Sequence, residues 1–154
     1  MTLEIGTAAP PFELIDQERN PVTSDDLKGQ KSVVVFIPFP FSAICEFELC
    51  AIRDRLAALN DLKAKVVVIT VDTHFTNQKW SSDNGFEFPV LSDYWPHGET
   101  AMAYHAFNEK VGAANRVSYI LDEDGIVRDV IDSGSLGTPR EFDDYVTALA
   151  AIES

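Results

Sequence analysis

Two uninterrupted runs of mostly β-branched residues, Val33-Val34-Val35-Phe36-Ile37 and Val66-Val67-Val68-Ile69-Thr70, constrain this chain more than any other feature. Neither run alternates with polar residues, so each suits a parallel strand buried on both faces. Parallel strands cannot be joined by a tight turn and need a crossover. Residues 43–62 supply one. The stretch contains no Gly or Pro and spaces Ile44, Leu49, Ile52, Leu56 and Leu59 near 3.6 residues, which predicts a single continuous helix.

The flanking segments extend this βαβ unit. Residues 12–15 and 21–23 bracket the turn-rich Asp16-Gln17-Glu18-Arg19-Asn20 and predict an N-terminal hairpin. Ser24-Asp25-Asp26-Leu27 reads as a capped single turn ended by Gly29. Residues 77–84 predict a helix closed by Gly85, and residues 88–91 a short strand. The loop Tyr94-Trp95-Pro96-His97-Gly98 follows, then a short helix over residues 100–107. Residues 117–121 and 126–131 flank Asp122-Glu123-Asp124-Gly125, a hairpin signal. Thr138-Pro139-Arg140-Glu141 predicts the start of a last helix, with an N-cap, a first-turn Pro and a capping-box Glu. This order predicts an α/β three-layer sandwich whose mixed central sheet is parallel in its first half and antiparallel in its second. It resembles a thioredoxin-like fold with an N-terminal β-hairpin extension. With no repeat, low-complexity tract or linker in 154 residues, one domain over residues 1–154 is expected.

A net charge of -13 argues against nucleic acid or an anionic membrane surface as partner. The start, MTLEIGTAAPPFELID, lacks a basic n-region, and its apolar stretch is too short for a secretory leader. No run approaches the roughly 20 apolar residues that span a bilayer, so a cytoplasmic protein is expected. The 2 cysteines are then no disulfide framework. Cys45 and Cys50 lie outside the usual two-residue gap of paired thiolate ligands, and His74, His97 and His105 are scattered. No metal site or bound cofactor is expected.

Cys45 sits just past the strand-to-helix junction, within the first turn of the predicted helix. Unpaired N–H groups and the helix dipole favour an anion there, hence a thiolate. Pro38 ends the strand's hydrogen bonding and fixes the loop. Ser42 and Glu48, three residues before and after Cys45, share its face if the turn is helical. A lone carboxylate at Glu48 would oppose the thiolate, so a cation is needed nearby. Arg116 is the candidate, because it opens strand 117–121, which can run beside the strand ending near Cys45. The other basic residues fall in helices or turns where a solvated face is expected. Arg53 and Arg55, for example, belong on the exposed side of the crossover helix.

Pro38-Phe39-Pro40-Phe41-Ser42-Ala43-Ile44-Cys45 resembles the peroxiredoxin pattern of Pro, three residues, Thr or Ser, two residues, Cys. Gly6-Thr7-Ala8-Ala9-Pro10-Pro11-Phe12-Glu13-Leu14 is similar to that family's N-terminal segment, and Arg116 to its distal arginine. Within the family the chain most resembles the alkyl hydroperoxide reductase E class. The shared stretches are Phe88-Pro89-Val90-Leu91-Ser92-Asp93-Tyr94-Trp95-Pro96-His97-Gly98, Phe107-Asn108-Glu109 and Ala114-Asn115-Arg116. The resemblance spans essentially the whole chain. It implies a thiol-dependent peroxidase acting on hydrogen peroxide or alkyl hydroperoxides. Cys45 would be the peroxidatic thiolate that becomes a sulfenic acid. Ser42 and Arg116 would bind the peroxide, Pro38 would shield the sulfur from water, and Glu48 would orient Arg116. The resemblance also implies a homodimer and a thioredoxin-, glutaredoxin- or mycoredoxin-like reductant.

Cys50 departs from the E class, whose members usually carry a single cysteine. Its spacing resembles that of the Q-type, bacterioferritin-comigratory peroxiredoxins, whose resolving cysteine lies five residues after the peroxidatic one. In an intact helix, residues five apart have Cα atoms about 8.7 Å apart on different faces. A disulfide needs roughly 4.4–6.8 Å, so the first turns must unwind before the pair can close. Cys50 is therefore either a resolving thiol or a small buried hydrophobe. Phe39 and Phe41 are expected at the pocket mouth, where core packing explains them almost as well. Trp95 and His97 are expected to pack, or to wall the pocket or a dimer interface. A thioredoxin-type dithiol enzyme would want Cys-x-x-Cys at the helix start and is disfavoured. A redox sensor that uses Cys45 as a switch begins with the same sulfenic acid and is told apart by turnover.

Overall fold

The structure is a computed structural model that describes residues 1–152. In chain order the strands and helices are β1 (Glu13–Ile15), β2 (Pro21–Thr23), β3 (Lys31–Phe36), α1 (Ala43–Asp54), α2 (Leu56–Asp61), β4 (Ala64–Thr70), α3 (His74–Asn84) and β5 (Val90–Ser92). There follow α4 (Glu99–Ala103), β6 (Phe107–Asn108), β7 (Ala113–Ala114), β8 (Val117–Leu121), β9 (Val127–Asp132) and α5 (Phe142–Ala150). A 3-10 turn, Ser24–Leu27, separates β2 from β3.

The two branched runs pair in parallel, with Val33 opposite Val66, Val34 opposite Val67 and Val35 opposite Val68. Alternate residues of β3 then feed two cores. Val33, Val35 and Ile37 pack with Leu49, Ile52, Leu59, Trp80 and Leu149 under α1, α2, α3 and α5. Val34 and Phe36 pack on the opposite face with Leu91, Tyr104 and Tyr119, beneath α4 and the N-terminal segment. Each of these side chains stabilises the fold by about 1.5–3 kcal/mol through burial, which is why neither run can afford a polar alternation. Helix layer, sheet and opposite cover make the three layers of the thioredoxin-like fold.

The sheet has 7 strands in the order β2-β1-β5-β4-β3-β8-β9. It is parallel through β3, β4 and β5 and antiparallel on both sides of them. This corrects the expected division into a parallel first half and an antiparallel second half. The N-terminal hairpin belongs to the sheet, because β1 pairs with β5 through Ile15 and Ser92.

Two predicted helices are shorter than expected. The crossover breaks at Arg55 (φ -117°, ψ 21°), giving α1 and α2. Arg55 is engaged from outside its own helix, 2.8 Å from Asp143 and over the ring of Phe142, so a tertiary contact overrides local propensity. Helix α4 stops at Ala103, and His105 takes a left-handed φ of 54° that turns the chain into β6. Gly85 caps α3 in the left-handed conformation, as the sequence predicts.

Candidate active site

The sheet determines where the reactive side chains meet. Strand β3 ends at Phe36, and Pro38, buried and without an N–H, stops the ladder. Ser42 is the N-cap of α1, so Cys45 lies in its first turns, over the carboxyl ends of β3 and β4. Strand β8 runs antiparallel to β3 with Ser118 opposite Val35, which brings Arg116 beside the end of β3.

Cys45 is fully buried, and Arg116 Nη1 donates to its Sγ at 3.1 Å. The same Nη1 donates to Glu48 Oε1 at 2.7 Å, while Arg116 Nε donates to the Leu136 carbonyl at 2.6 Å. The guanidinium is thus clamped on two sides and aimed at the sulfur. Ser42 makes no side-chain cap bond, and its buried Oγ has no partner among the described residues. Ser32, Ser81, His74 and Asn77 also carry buried polar atoms without a partner among the described residues, but the Ser42 hydroxyl is the one at the start of the helix that carries Cys45.

Glu48 has a second cation that the sequence reading missed. Arg140 donates to its carboxylate from Nε (2.8 Å), from Nη2 (2.9 Å) and from its own backbone N–H (2.7 Å). Its Nη1 reaches the carbonyl of Phe36 at 2.8 Å and Ser118 Oγ at 3.0 Å. Arg140 is therefore buried rather than solvated, and it lies outside the last helix, whose N-cap is Glu141 and whose first residue is Phe142. The predicted cap over residues 138–141 fails because Glu48 captures both the Arg140 backbone and its side chain. One signal was readable. Ser118 is a polar residue within the apolar run of β8 and needs a partner.

Burial opposes ionisation of Glu48, yet its bonds to Arg140 and the charge of Arg116 outweigh it and hold the carboxyl below its usual range. Two guanidiniums against one carboxylate leave one positive charge over, and the Arg116 end of it touches Cys45 Sγ.

Cys50 is half-buried on the same unbroken helix, and neither cysteine is in a disulfide. Burial pushes its thiol up. Arg53 pulls the other way, and Glu46 and Asp54 add to the rise. Arg53 is less free than expected, since its Nη1 donates to the Asn84 carbonyl at 2.7 Å. Phe39 and Phe41 are exposed on the loop before α1, and Phe41 takes a left-handed φ of 71°. Trp95 is exposed and packs little within the chain, whereas His97 bonds the Gly112 carbonyl and sits edge-on to Phe107.

A thioredoxin-like sheet that presents one cysteine at a helix start, against a clamped arginine, describes a thiol-based enzyme. Comparison with known proteins makes that specific. Residues 5–130 match the AhpC/TSA family, and the chain belongs to that family of peroxiredoxins, the thiol-dependent peroxidases. It is 38% identical over 152 residues to alkyl hydroperoxide reductase E of Mycobacterium tuberculosis, covering 97% of this chain and 99% of that one. It is 33% identical to alkyl hydroperoxide reductase C of Bacillus subtilis, over 97% of this chain and 82% of the relative. Among solved structures, peroxidoxin BcpB from Mycobacterium tuberculosis superposes with a TM-score of 0.88 at 26% identity, over 99% of each chain. Enterococcus faecalis AhpC also gives 0.88, at 27% identity, over 98% of this chain and 92% of the other.

Proposed function

We propose that Cys45 is the peroxidatic residue and reduces hydrogen peroxide and alkyl hydroperoxides as a thiolate. Its sulfur attacks the terminal peroxide oxygen, the O–O bond breaks, and the bonding pair leaves with the alkoxide or hydroxide, which is protonated to an alcohol or water. Cys45 is left as a sulfenic acid. The observation that carries this reading is Arg116 Nη1 on Cys45 Sγ, with the unpaired Ser42 hydroxyl at the start of the same helix. Ser42 and Arg116 hold the peroxide in line with the sulfur, Pro38 excludes water, and Glu48 and Arg140 keep Arg116 aimed.

Cys50 then resolves the sulfenic acid. Its thiolate attacks the Cys45 sulfur, the S–O bond breaks as the disulfide forms, and the hydroxide that leaves takes up a proton to become water. A dithiol reductant of thioredoxin, glutaredoxin or mycoredoxin type restores both thiols and is itself oxidised to a disulfide. On this reading the protein is a one-domain peroxidase that works as a homodimer in the cytoplasm, as the family resemblance implies. Stopped-flow reaction of wild type, Cys45→Ser and Cys50→Ser with peroxide, followed by recycling with candidate dithiols, tests the reading. One equivalent of peroxide should cost wild type two hydrogens in mass, and Cys50→Ser should stop at the sulfenic acid. Loss of peroxide reactivity in Cys50→Ser rather than Cys45→Ser would reverse the assignment. A single stoichiometric oxidation with no turnover would make the protein a sensor.

A further inference from the structure

Helix α1 is tied to the C-terminal half of α3 at successive turns. The Glu46 carboxylate accepts from the Trp80 indole N–H at 3.2 Å and from Asn84 Nδ2 at 3.3 Å, through the same Oε1. Asn84 Nδ2 also donates to the Trp80 carbonyl at 3.0 Å, which fixes the amide in place. One turn further along, Cys50 Sγ lies 3.9 Å from Asn84 Oδ1, and beyond it Arg53 holds the Asn84 backbone carbonyl. Trp80 is fully buried, and Glu46 is the acceptor of its N–H among the described residues.

These contacts lie where the chemistry requires motion. Cys45 and Cys50 cannot join while residues 43–50 remain helical, because their Cα atoms stay about 8.7 Å apart. Unwinding those turns carries Glu46, next to Cys45, away from α3. It breaks both bonds to the carboxylate and leaves a buried indole N–H without an acceptor, the costly half of a broken hydrogen bond. The loop just before α1 pulls the other way. Phe41 holds a left-handed φ of 71° that a bulky side chain disfavours, and unwinding releases it.

We propose that Glu46, Trp80 and Asn84 form a latch that sets how fast an oxidised Cys45 is passed to Cys50. Glu46 and Asn84 are positioning residues here, acting through the helix and not on the peroxide. The latch holds α1 wound while peroxide reacts and opens for resolution. Its strength therefore decides how long the sulfenic acid stays exposed to a second peroxide, which would take it to the sulfinic acid. This inference rests on Cys50 as the resolving thiol.

The test uses full-length Glu46→Ala, Glu46→Gln, Trp80→Phe and Asn84→Ala. Trp80→Phe removes the N–H and keeps an aromatic ring in the core, but the ring is smaller than the fully buried indole, so its effect includes a cavity and Glu46→Ala is the cleaner probe of the bond. Three quantities are measured: hydrogen exchange of the 45–49 amides in the reduced protein, the rate of disulfide formation after a peroxide pulse, and the rate of the first peroxide reaction. Glu46→Ala and Trp80→Phe should each speed exchange and disulfide formation about tenfold, the factor carried by one charge-assisted hydrogen bond. The first reaction should stay within about twofold of wild type. Glu46→Gln, which keeps an acceptor, should recover most of the wild-type rate, and the Glu46→Ala/Trp80→Phe double variant should be no faster than Glu46→Ala alone, which already loses the bonds to both Trp80 and Asn84. Sulfinic acid should need more peroxide in the unlatched variants. A disulfide that forms at the same rate in all of them overturns the latch and leaves Cys50 its role. No disulfide in any of them, wild type included, removes the resolving role and the latch's function with it.

Discussion

Replacing Arg116 by alanine separates two things this residue could do for Cys45. The guanidinium makes one hydrogen bond to Sγ at 3.1 Å, another to Glu48 at 2.7 Å and a third to the Leu136 carbonyl at 2.6 Å. It is buried with Glu48, so water replaces none of these easily. If Arg116 served only to ionise the thiol, its loss would have a ceiling. An ordinary thiol of pKa near 8.5 is already several per cent thiolate at about pH 7.4, so full ionisation gains roughly tenfold, or ~1.5 kcal/mol. Lowering a thiol's basicity also weakens it as a nucleophile, which trims that gain further. If Arg116 also stabilises charge as the O–O bond breaks, its loss resembles removal of an oxyanion-hole donor, about 10²–10³ in rate or roughly 2.7–4 kcal/mol.

The assay is stopped-flow peroxide reduction across pH, with the thiolate fraction followed separately by its ultraviolet absorbance. Dividing the second-order rate constant by that fraction removes ionisation from the comparison. The quotient should still fall at least a hundredfold in Arg116→Ala. Arg116→Lys should recover little, because a point charge cannot keep the fork that reaches Sγ, Glu48 and Leu136 together. A quotient equal to that of wild type would mean the arginine acts on ionisation alone, and the polarisation argument would fall.

Three further outcomes follow from the same cluster. Ser42→Ala should leave stability nearly unchanged by denaturant titration, since Oγ bonds nothing among the described residues, yet slow peroxide reduction about tenfold, with Ser42→Thr close to wild type. Arg140→Met removes two of the four donors to the buried Glu48 carboxylate, leaving its own backbone N–H and Arg116, and should cost about 3–5 kcal/mol in urea unfolding. Glu48, whose carboxyl is held below its usual range, contributes stability that is fully present above a pH of about 4.5. That contribution drains as pH falls through the lowered value. Burial raises Asp72 and Asp93 instead, so their effect runs the opposite way, and the sign is read from the difference between wild type and Glu48→Gln. That difference should shrink steadily as the solution is acidified below about pH 4.5; a gap that widens would contradict it.

The part of the site readable in the sequence is the part governed by local rules. A branched run, a Pro that ends it and a cysteine at the following helix start are all consequences of neighbours in the chain, and each lies where the spacing puts it. Arg116 is readable because strand pairing is itself periodic. Once β8 is set against β3, the residue before Val117 must lie near the end of β3. The break at Arg55 and the edge position of the N-terminal hairpin have no such local cause. They depend on Phe142, Asp143 and Ser92, which are distant in the chain and carry no mark of the contact.

Arg140 shows why the remainder of the site resists local reading. Thr138 to Glu141 satisfy every local criterion for a helix start, and a free peptide of that sequence would have reason to adopt one. What overrides it is a balance of charge that exists only after folding. Glu48 on α1 must be buried for Arg116 to be clamped, and one arginine shared with a sulfur cannot satisfy both carboxylate oxygens. A second guanidinium has to come from outside the sheet. The loop before α5 is the segment that reaches both Glu48 and the buried Phe36 carbonyl at the end of β3. The helix gives up its first turn to provide it. Buried carboxylates found one turn after a buried cysteine at a helix start should therefore prompt a search for two cations, and here the second, Arg140, is held in turn by Ser118 within the apolar strand β8.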